Sequence, residues 1–352
     1  MSAPRSRYAP VLPLALALWA CSSASPPVPA PDAGDGAPPD AADAGAEVAA
    51  DGADGDLGAD VAPASGWQAL PSLPVARMEV GVTALRGQIY VVGGTVGPTV
   101  TAWSGAVHAF DPAGNVWRER RALPSPGLSH ANVAVVGDRL FLLGPNANGQ
   151  VLSYDPDADA WTEGKPSLRQ FTDRGGAAVG VIGGKIYVAG GGFGSRIFAV
   201  YDPGTDAWTG LPLLDVGLDH VAGAAVGNTL FVMGGSDRFR NVATDRVQAY
   251  DVTAGKWLEK APMPTARSGC AAVVMAGEIV VLGGEGNPGS GVVSAAVEAY
   301  DPATDRWRTL PAMKTARHGI GAALVDGRIY VPGGSTAMDL GPGGETFEVL
   351  VP

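Results

Sequence analysis

The sequence is short of thiols, imidazoles and positive charge. Among 352 residues there are two cysteines and four histidines, and 24 Lys and Arg stand against 35 Asp and Glu. Two cysteines, Cys21 and Cys270, allow one disulfide at most, so a disulfide-built scaffold is excluded. No patch or run of basic residues occurs, so the electrostatic footprint of a nucleic-acid binder is missing. After residue 67 no amphipathic helical pattern is found, which points away from a helical core. The one long apolar run, VLPLALALWA at 11–20, is too short to span a bilayer as a helix. The acidity is local. Nine acids and no base fall within residues 31–66, and the remainder is close to balanced.

What is present begins with an export pattern. Arg5 and Arg7 precede the apolar run, and Cys21 follows it at once in LWAC. The arrangement resembles the lipobox of bacterial lipoproteins, with Leu18 and Ala20 ahead of the cysteine that takes the lipid; Trp19 between them is bulkier than usual. That resemblance implies a signal over 1–21, lipidation at Cys21 and, with Ser22 rather than Asp next, an outer-membrane lipoprotein. Residues 22–65 are rich in Ala, Asp, Gly and Pro and hold no aromatic residue, so they cannot bury enough apolar surface to order themselves. They read as a self-repelling tether. Cys270, in SGCAAVV, reads as a small buried core residue.

From residue 66 the chain repeats itself. YDPDADAW (154–161), YDPGTDAW (201–208), YDVTAGKW (250–257) and YDPATDRW (300–307) are near copies, and FDPAGNVW (110–117) is a looser one. Around each copy lie a small-residue strand such as GIGAALV (319–325), a strand ending in Gly-Gly such as RIYVPGG (328–334), the Tyr-Asp strand and the Trp strand. Period-2 patterning with Gly, Pro and Asp punctuation marks all four as β-strands. Gly-Gly permits a sharp turn, Asp-Pro opens the next one, and Trp offers a large apolar face to a neighbouring sheet. Gly-Gly, Tyr-Asp and Trp recurring at this period resemble the kelch repeat, which implies an all-β propeller.

Gly-Gly or its remnant occurs six times, at Gly93, Gly144, Gly190, Gly234, Gly283 and Gly333; the second is Gly144-Pro145. Trp67 precedes the first of them, and no Trp strand follows FEVLVP at 347–352. The expectation is a six-bladed propeller over 66–352, its ring closed by an N-terminal strand that supplies the fourth strand of the last blade.

Subtracting the repeat exposes what the fold does not demand. Every tyrosine after the signal occupies a blade position, and only Trp103 among the tryptophans is off register. Copper radical oxidases on kelch propellers need a free Tyr joined to Cys, so that chemistry is not expected. GGGFGS (190–195) reads as a Gly-Gly turn, since a strand follows it and not a helix. The loops leading into the first strands align on Arg77, Leu128, Arg174, Leu218, Arg267 and Arg317. Two residues further on stand Glu79, His130, Gly176, His220, Gly269 and Gly319. Both histidines replace a glycine where the arginine is also lost. By resemblance these loops ring one binding mouth, so Glu79, His130, His220, His318, Arg77, Arg174, Arg267 and Arg317 are candidate ligand contacts. Trp103, Arg238 and Arg240 from the loops after Gly-Gly join them. The arginines have a second reading, as structural residues bonding loop carbonyls. His108, in a third strand, reads as structural. Two His and one Glu on different blades lack a local metal-binding spacing, and no metal, other cofactor or catalytic residue is assigned.

The expected function is therefore non-enzymatic: a monomeric, lipid-anchored envelope protein whose propeller face binds a protein or carbohydrate partner. The alternative is a sugar mutarotase or epimerase of the sialic acid type, with Glu79, His130 and His220 as acid and base.

Overall fold

The computed structural model describes residues 65–97, 102–125, 127–144, 150–166, 175–338 and 343–352. The expected signal, Cys21 and almost all of the tether lie outside the described residues, as does Arg174. Among the described residues there is no helix, and the strands form six four-stranded antiparallel sheets with two small ribbons.

The first blade shows the plan. Gly81–Leu85, Gln88–Val92, Val107–Asp111 and Val116–Arg120 pair in that order, from the axis outward. The innermost strands of the other blades are Asn132–Val136, Ala178–Ile182, Ala222–Val226, Ala271–Met275 and Ala323–Val325. Each neighbours the next, and the last returns to the first, around a central channel. Their small residues are a packing requirement. A Cβ on Gly223 would stand 2.4 Å from the Val179 nitrogen, and one on Gly321 would stand 2.5 Å from Val82.

The second strands are buried at four of five positions, which gives each blade its share of the core. The turn between third and fourth strands works as its residues suggest. Asp155 Oδ1 accepts from the Asp157 and Ala158 nitrogens, Asp251 repeats this with Thr253 and Ala254, and Tyr154, Tyr201 and Tyr300 donate to Asp159, Asp206 and Asp305 across it. Four outer Trp residues tie their blade to the one before. Trp117 Nε1 donates to the Pro71 carbonyl, Trp161 to Arg121, Trp257 to Pro212 and Trp307 to Ala261.

Ring closure follows the same rule. Gly66–Ala69 pairs antiparallel with Phe347–Val351, Trp67 opposite Leu350, as the outermost strand of the sixth blade. Trp67 Nε1 donates to the Pro311 carbonyl, the contact every other outer Trp above makes with its preceding blade. The ring is a six-bladed propeller with no unpaired seam. Cys270 is buried and unpaired among the described residues.

Candidate functional site

One position in each blade builds the floor of the mouth. The Glu79 nitrogen donates to the Gly319 carbonyl (2.7 Å), Gly319 to Gly269 (3.0 Å) and Gly269 to His220 (2.9 Å). Val221 donates to Gly176 (3.1 Å), Gly176 to His130 (3.2 Å) and His130 to Glu79 (2.9 Å), which closes a hydrogen-bonded hoop through all six blades. Glu79, His130, Gly176, His220, Gly269 and Gly319 all have positive φ, from 52° to 67°. Glycine adopts this conformation freely, whereas other residues are strained by about 1–2 kcal/mol. Blades three, five and six use Gly; Glu79, His130 and His220 accept the strain.

Those three side chains converge. His130 Nε2 lies 2.6 Å from His220 Nε2 and 3.2 Å from Glu79 Oε2. The imidazole rings meet edge to face at 4.5 Å. Blades two and four are not adjacent; Gly176 of blade three holds the hoop position between them and adds no side chain there. Above the trio opens a cavity of about 520 Å³, and below it runs a channel of about 270 Å³. The trio lines both and so forms the partition between mouth and channel.

Each imidazole is held from behind. His130 Nδ1 bonds Ser129 Oγ, and His220 Nδ1 stands 3.1 Å from Asp219 Oδ1. Arg238 in turn grips Asp219 Oδ2 through Nε (3.0 Å) and Nη2 (2.8 Å). The electrostatics split the pair. Burial opposes the His220 imidazolium, but Asp219 and Glu79 outweigh it and raise this group to about 9. Burial pushes His130 down against the pull of Glu79. Burial also opposes ionisation of Glu79 and Asp219, yet their cationic neighbours hold both below the usual carboxylate range.

The other candidates divide. Trp103, 58% exposed at the end of the ribbon Thr95–Val96 and Ala102–Trp103, lines the mouth, as does Arg238. Arg240 turns back to Asp237 (3.4 Å) and is not among the residues lining the cavity. His318 lines the mouth but is buried, its Nε2 donating to the Ala337 carbonyl (2.7 Å) and its Nδ1 3.3 Å from Glu285 Oε2.

Arg77, Arg267 and Arg317 do not face the mouth. All are fully buried within their own blades, so the structural reading describes them and the ligand reading does not. Arg77 bonds the Gly93 and Ala106 carbonyls and His108 Nδ1. Arg267 pairs with Glu298 at 2.6 Å, and Arg317 with Glu348 at 3.1 Å. The physical reason is the buried backbone carbonyls behind the mouth, which need a donor: Arg77 and Arg317 serve those at the two ends of the loop after Gly-Gly, and Arg267 serves Val281 in the second strand. His108 occupies the register of Glu298 and Glu348 in the third strand and serves Arg77 in their place. Blade two, with Leu128 for the arginine, carries apolar Leu152 at that register.

Of the mouth residues that escaped the sequence reading, three bear most on the site. Asp219 and Ser129 directly precede the two histidines, and their variation from blade to blade was the available signal. Phe193, in the Gly-rich turn of blade three, is 86% exposed on the rim, and a lone aromatic in a run of glycines marks it.

Comparison with known proteins agrees with this architecture. The kelch motif matches residues 76–124, 173–212, 219–264 and 266–314, more than half of the chain. The unmatched second unit is the one with Gly144-Pro145. The chain is 30% identical over 254 residues to Kelch-like protein terF of Aspergillus terreus, covering 63% of this chain and 54% of that protein. It is 29% identical over 241 residues to mouse Kelch-like protein 35, covering 65% and 38%. It therefore spans about half or less of these curated relatives. The solved structure of YjhT superposes with a TM-score of 0.65 at 18% identity, covering 80% of this chain and 96% of that one, a likeness of fold. With the repeat in register, the six-bladed ring and the motif match in agreement, the chain belongs to the kelch-repeat family.

Proposed function

We propose that this propeller is a lipid-anchored envelope protein that docks a protein partner across its mouth. One observation carries the reading: Glu79, His130 and His220 occupy hoop positions that suit glycine and converge on the floor of an open well. Backbone strain retained at such a place is a mark of use. The loops after Gly-Gly support it, with Trp103 and Phe193 lining the mouth itself. Trp103, Phe193, Phe239 and Val292, in four of the loops after Gly-Gly, are all more than half exposed, and aromatic residues around a polar centre suit a protein interface. The anchoring half of the proposal rests on the resemblance of LWAC to a lipobox. Cys21→Ser is expected to release the protein from membranes; unchanged fractionation and no acyl label on the wild type would remove that half.

The docking half is tested by a photo-crosslinking residue placed at 193 or 239 in living cells. Discrete adducts are expected there and none at Gly204, on the turn after the third strand of blade three. Adducts of equal yield at both places, or at neither, would overturn it.

A second reading, anomer exchange on a sugar of the sialic acid type, is favoured by three protonatable side chains meeting in a well of small-molecule size. The purified protein would then speed the approach to anomeric equilibrium, and a rate equal to buffer alone ends that reading.

A further inference from the structure

We infer that Glu79, His130 and His220 form a binding site for one divalent transition-metal ion of the zinc class, set in the hoop between mouth and channel. The inference stands on the well's geometry and goes beyond the docking of a partner. It begins with the donor atoms. One nitrogen from each imidazole and a carboxylate oxygen of Glu79 all lie within 4.8 Å of one another. Two imidazole nitrogens 2.6 Å apart repel if both present lone pairs and clash if both carry hydrogens. Something electropositive must stand between them, a proton or a metal ion. Nitrogens each about 2.0–2.1 Å from a tetrahedral zinc lie roughly 3.4 Å apart, so the pair need open by less than about 1 Å.

The groups behind the donors fit a metal better than a shared proton alone. A ligating imidazole is normally fixed by a bond from its other nitrogen, which sets the tautomer and aims the donor. Both histidines have that arrangement: Ser129 behind His130, and Asp219 behind His220 with Arg238 locking the carboxylate. The remaining two histidines are also held through one ring nitrogen, but among the described residues neither belongs to a group of three converging donors. His318 spends Nε2 on the Ala337 carbonyl, and His108 spends Nδ1 on Arg77.

Donor type and number set the class of ion. Two imidazoles with one carboxylate suit Zn²⁺ and its first-row neighbours, while Ca²⁺ and Mg²⁺ favour oxygen-only sets. Three protein donors leave a further coordination position. The cavity of about 520 Å³ opens on the same side chains, so that position is within reach of a carboxylate or hydroxyl presented from outside. A closed structural site would have supplied a fourth donor itself.

The test uses the full chain in detergent, stripped with a chelator and titrated with Co²⁺ alone, then Zn²⁺. The expected result is one equivalent of Co²⁺ with visible d–d bands, displaced by Zn²⁺. His130→Gly and His220→Gly, which install the residue of blades three, five and six, are each expected to lower Zn²⁺ affinity by about 100-fold or more. Asp219→Asn is expected to lower it about 10- to 100-fold. Circular dichroism and the unfolding midpoint verify that these variants are folded; Glu79→Gln provides a third probe should a glycine variant fail. Absence of a stoichiometric band overturns the inference, as does a band that persists in the double glycine variant, which would place Co²⁺ on other acids. A shared proton only, shown by imidazole ¹⁵N shifts indifferent to Zn²⁺, overturns it too. Metal binding without photo-adducts at 193 and 239 would leave this site standing and remove the docking reading. Photo-adducts at 193 and 239 from a protein that takes up no stoichiometric Co²⁺ in the titration would do the reverse.

Discussion

His108 shows how one residue can carry a pH dependence that the repeat does not. It fills the place of Glu298 and Glu348 as partner to the blade arginine, but it is a base beside Arg77 rather than an acid. Burial first, and then the Arg77 charge, pushes it down to about 4. The unfolded chain, with His108 near its ordinary value of about 6.5, takes up the proton first. Stability is thus lost as pH falls from about 6.5 to about 4, by on the order of 3 kcal/mol in full. His108→Glu restores the pair used in blades five and six and is expected to flatten the stability profile between pH 7 and 5. Urea unfolding of both proteins across that range checks it; parallel profiles would show that His108 is not the source. A second expectation concerns strain. The double variant His130→Gly, His220→Gly relieves two left-handed residues while losing their mutual contacts, so its stability is expected within about 1 kcal/mol of wild type. A loss of several kcal/mol would make the two histidines structural. The register of these residues was legible because they interrupt a column of glycines. The role of the arginines was only half legible, because the same pattern fits a residue lining a mouth and one bonding carbonyls behind it.

At the scale of elements, the strand Gly66–Ala69 has most to lose. It is four residues long, and Trp67 is 7% exposed with its indole nitrogen on Pro311. Trp67→Ala removes a buried aromatic and a hydrogen bond together, a change of about 3–5 kcal/mol. Deleting 66–72 would also bare Phe347–Val351 as an unpaired edge, which invites association. Thermal unfolding and size-exclusion chromatography should show a lower midpoint for the first variant and larger species for the second. A monomeric, equally stable deletion would mean that closure does not depend on this strand. The strands were readable in the sequence because each carries alternation plus Gly-Gly, Asp-Pro or Trp at its end. The ribbons Thr95–Val96 with Ala102–Trp103 and Ser236–Asp237 with Val242–Ala243 were not, since two-residue pairings held by blade packing leave no period to detect.

At the scale of the whole molecule, the six-fold ring was legible because the repeat dictates it and one count of Gly-Gly and Trp fixes both blade number and seam. The content of the mouth was less so, for it depends on side chains meeting across the axis from blades two and four. The seam has a mechanical consequence. Gly66 pairs with Val351 and Ala69 with Glu348, so the two ends of the ring leave from the same end of the same pair of strands. A load pulled between them acts on one rung at a time, as a zipper opens, instead of shearing all rungs together. If the segment ahead of Gly66 is a leash to a surface and the mouth is held by a partner, tension runs through this pair and peels the sixth blade first. The hoop at the mouth, whose rungs join six different blades, would share its end of the same load among them.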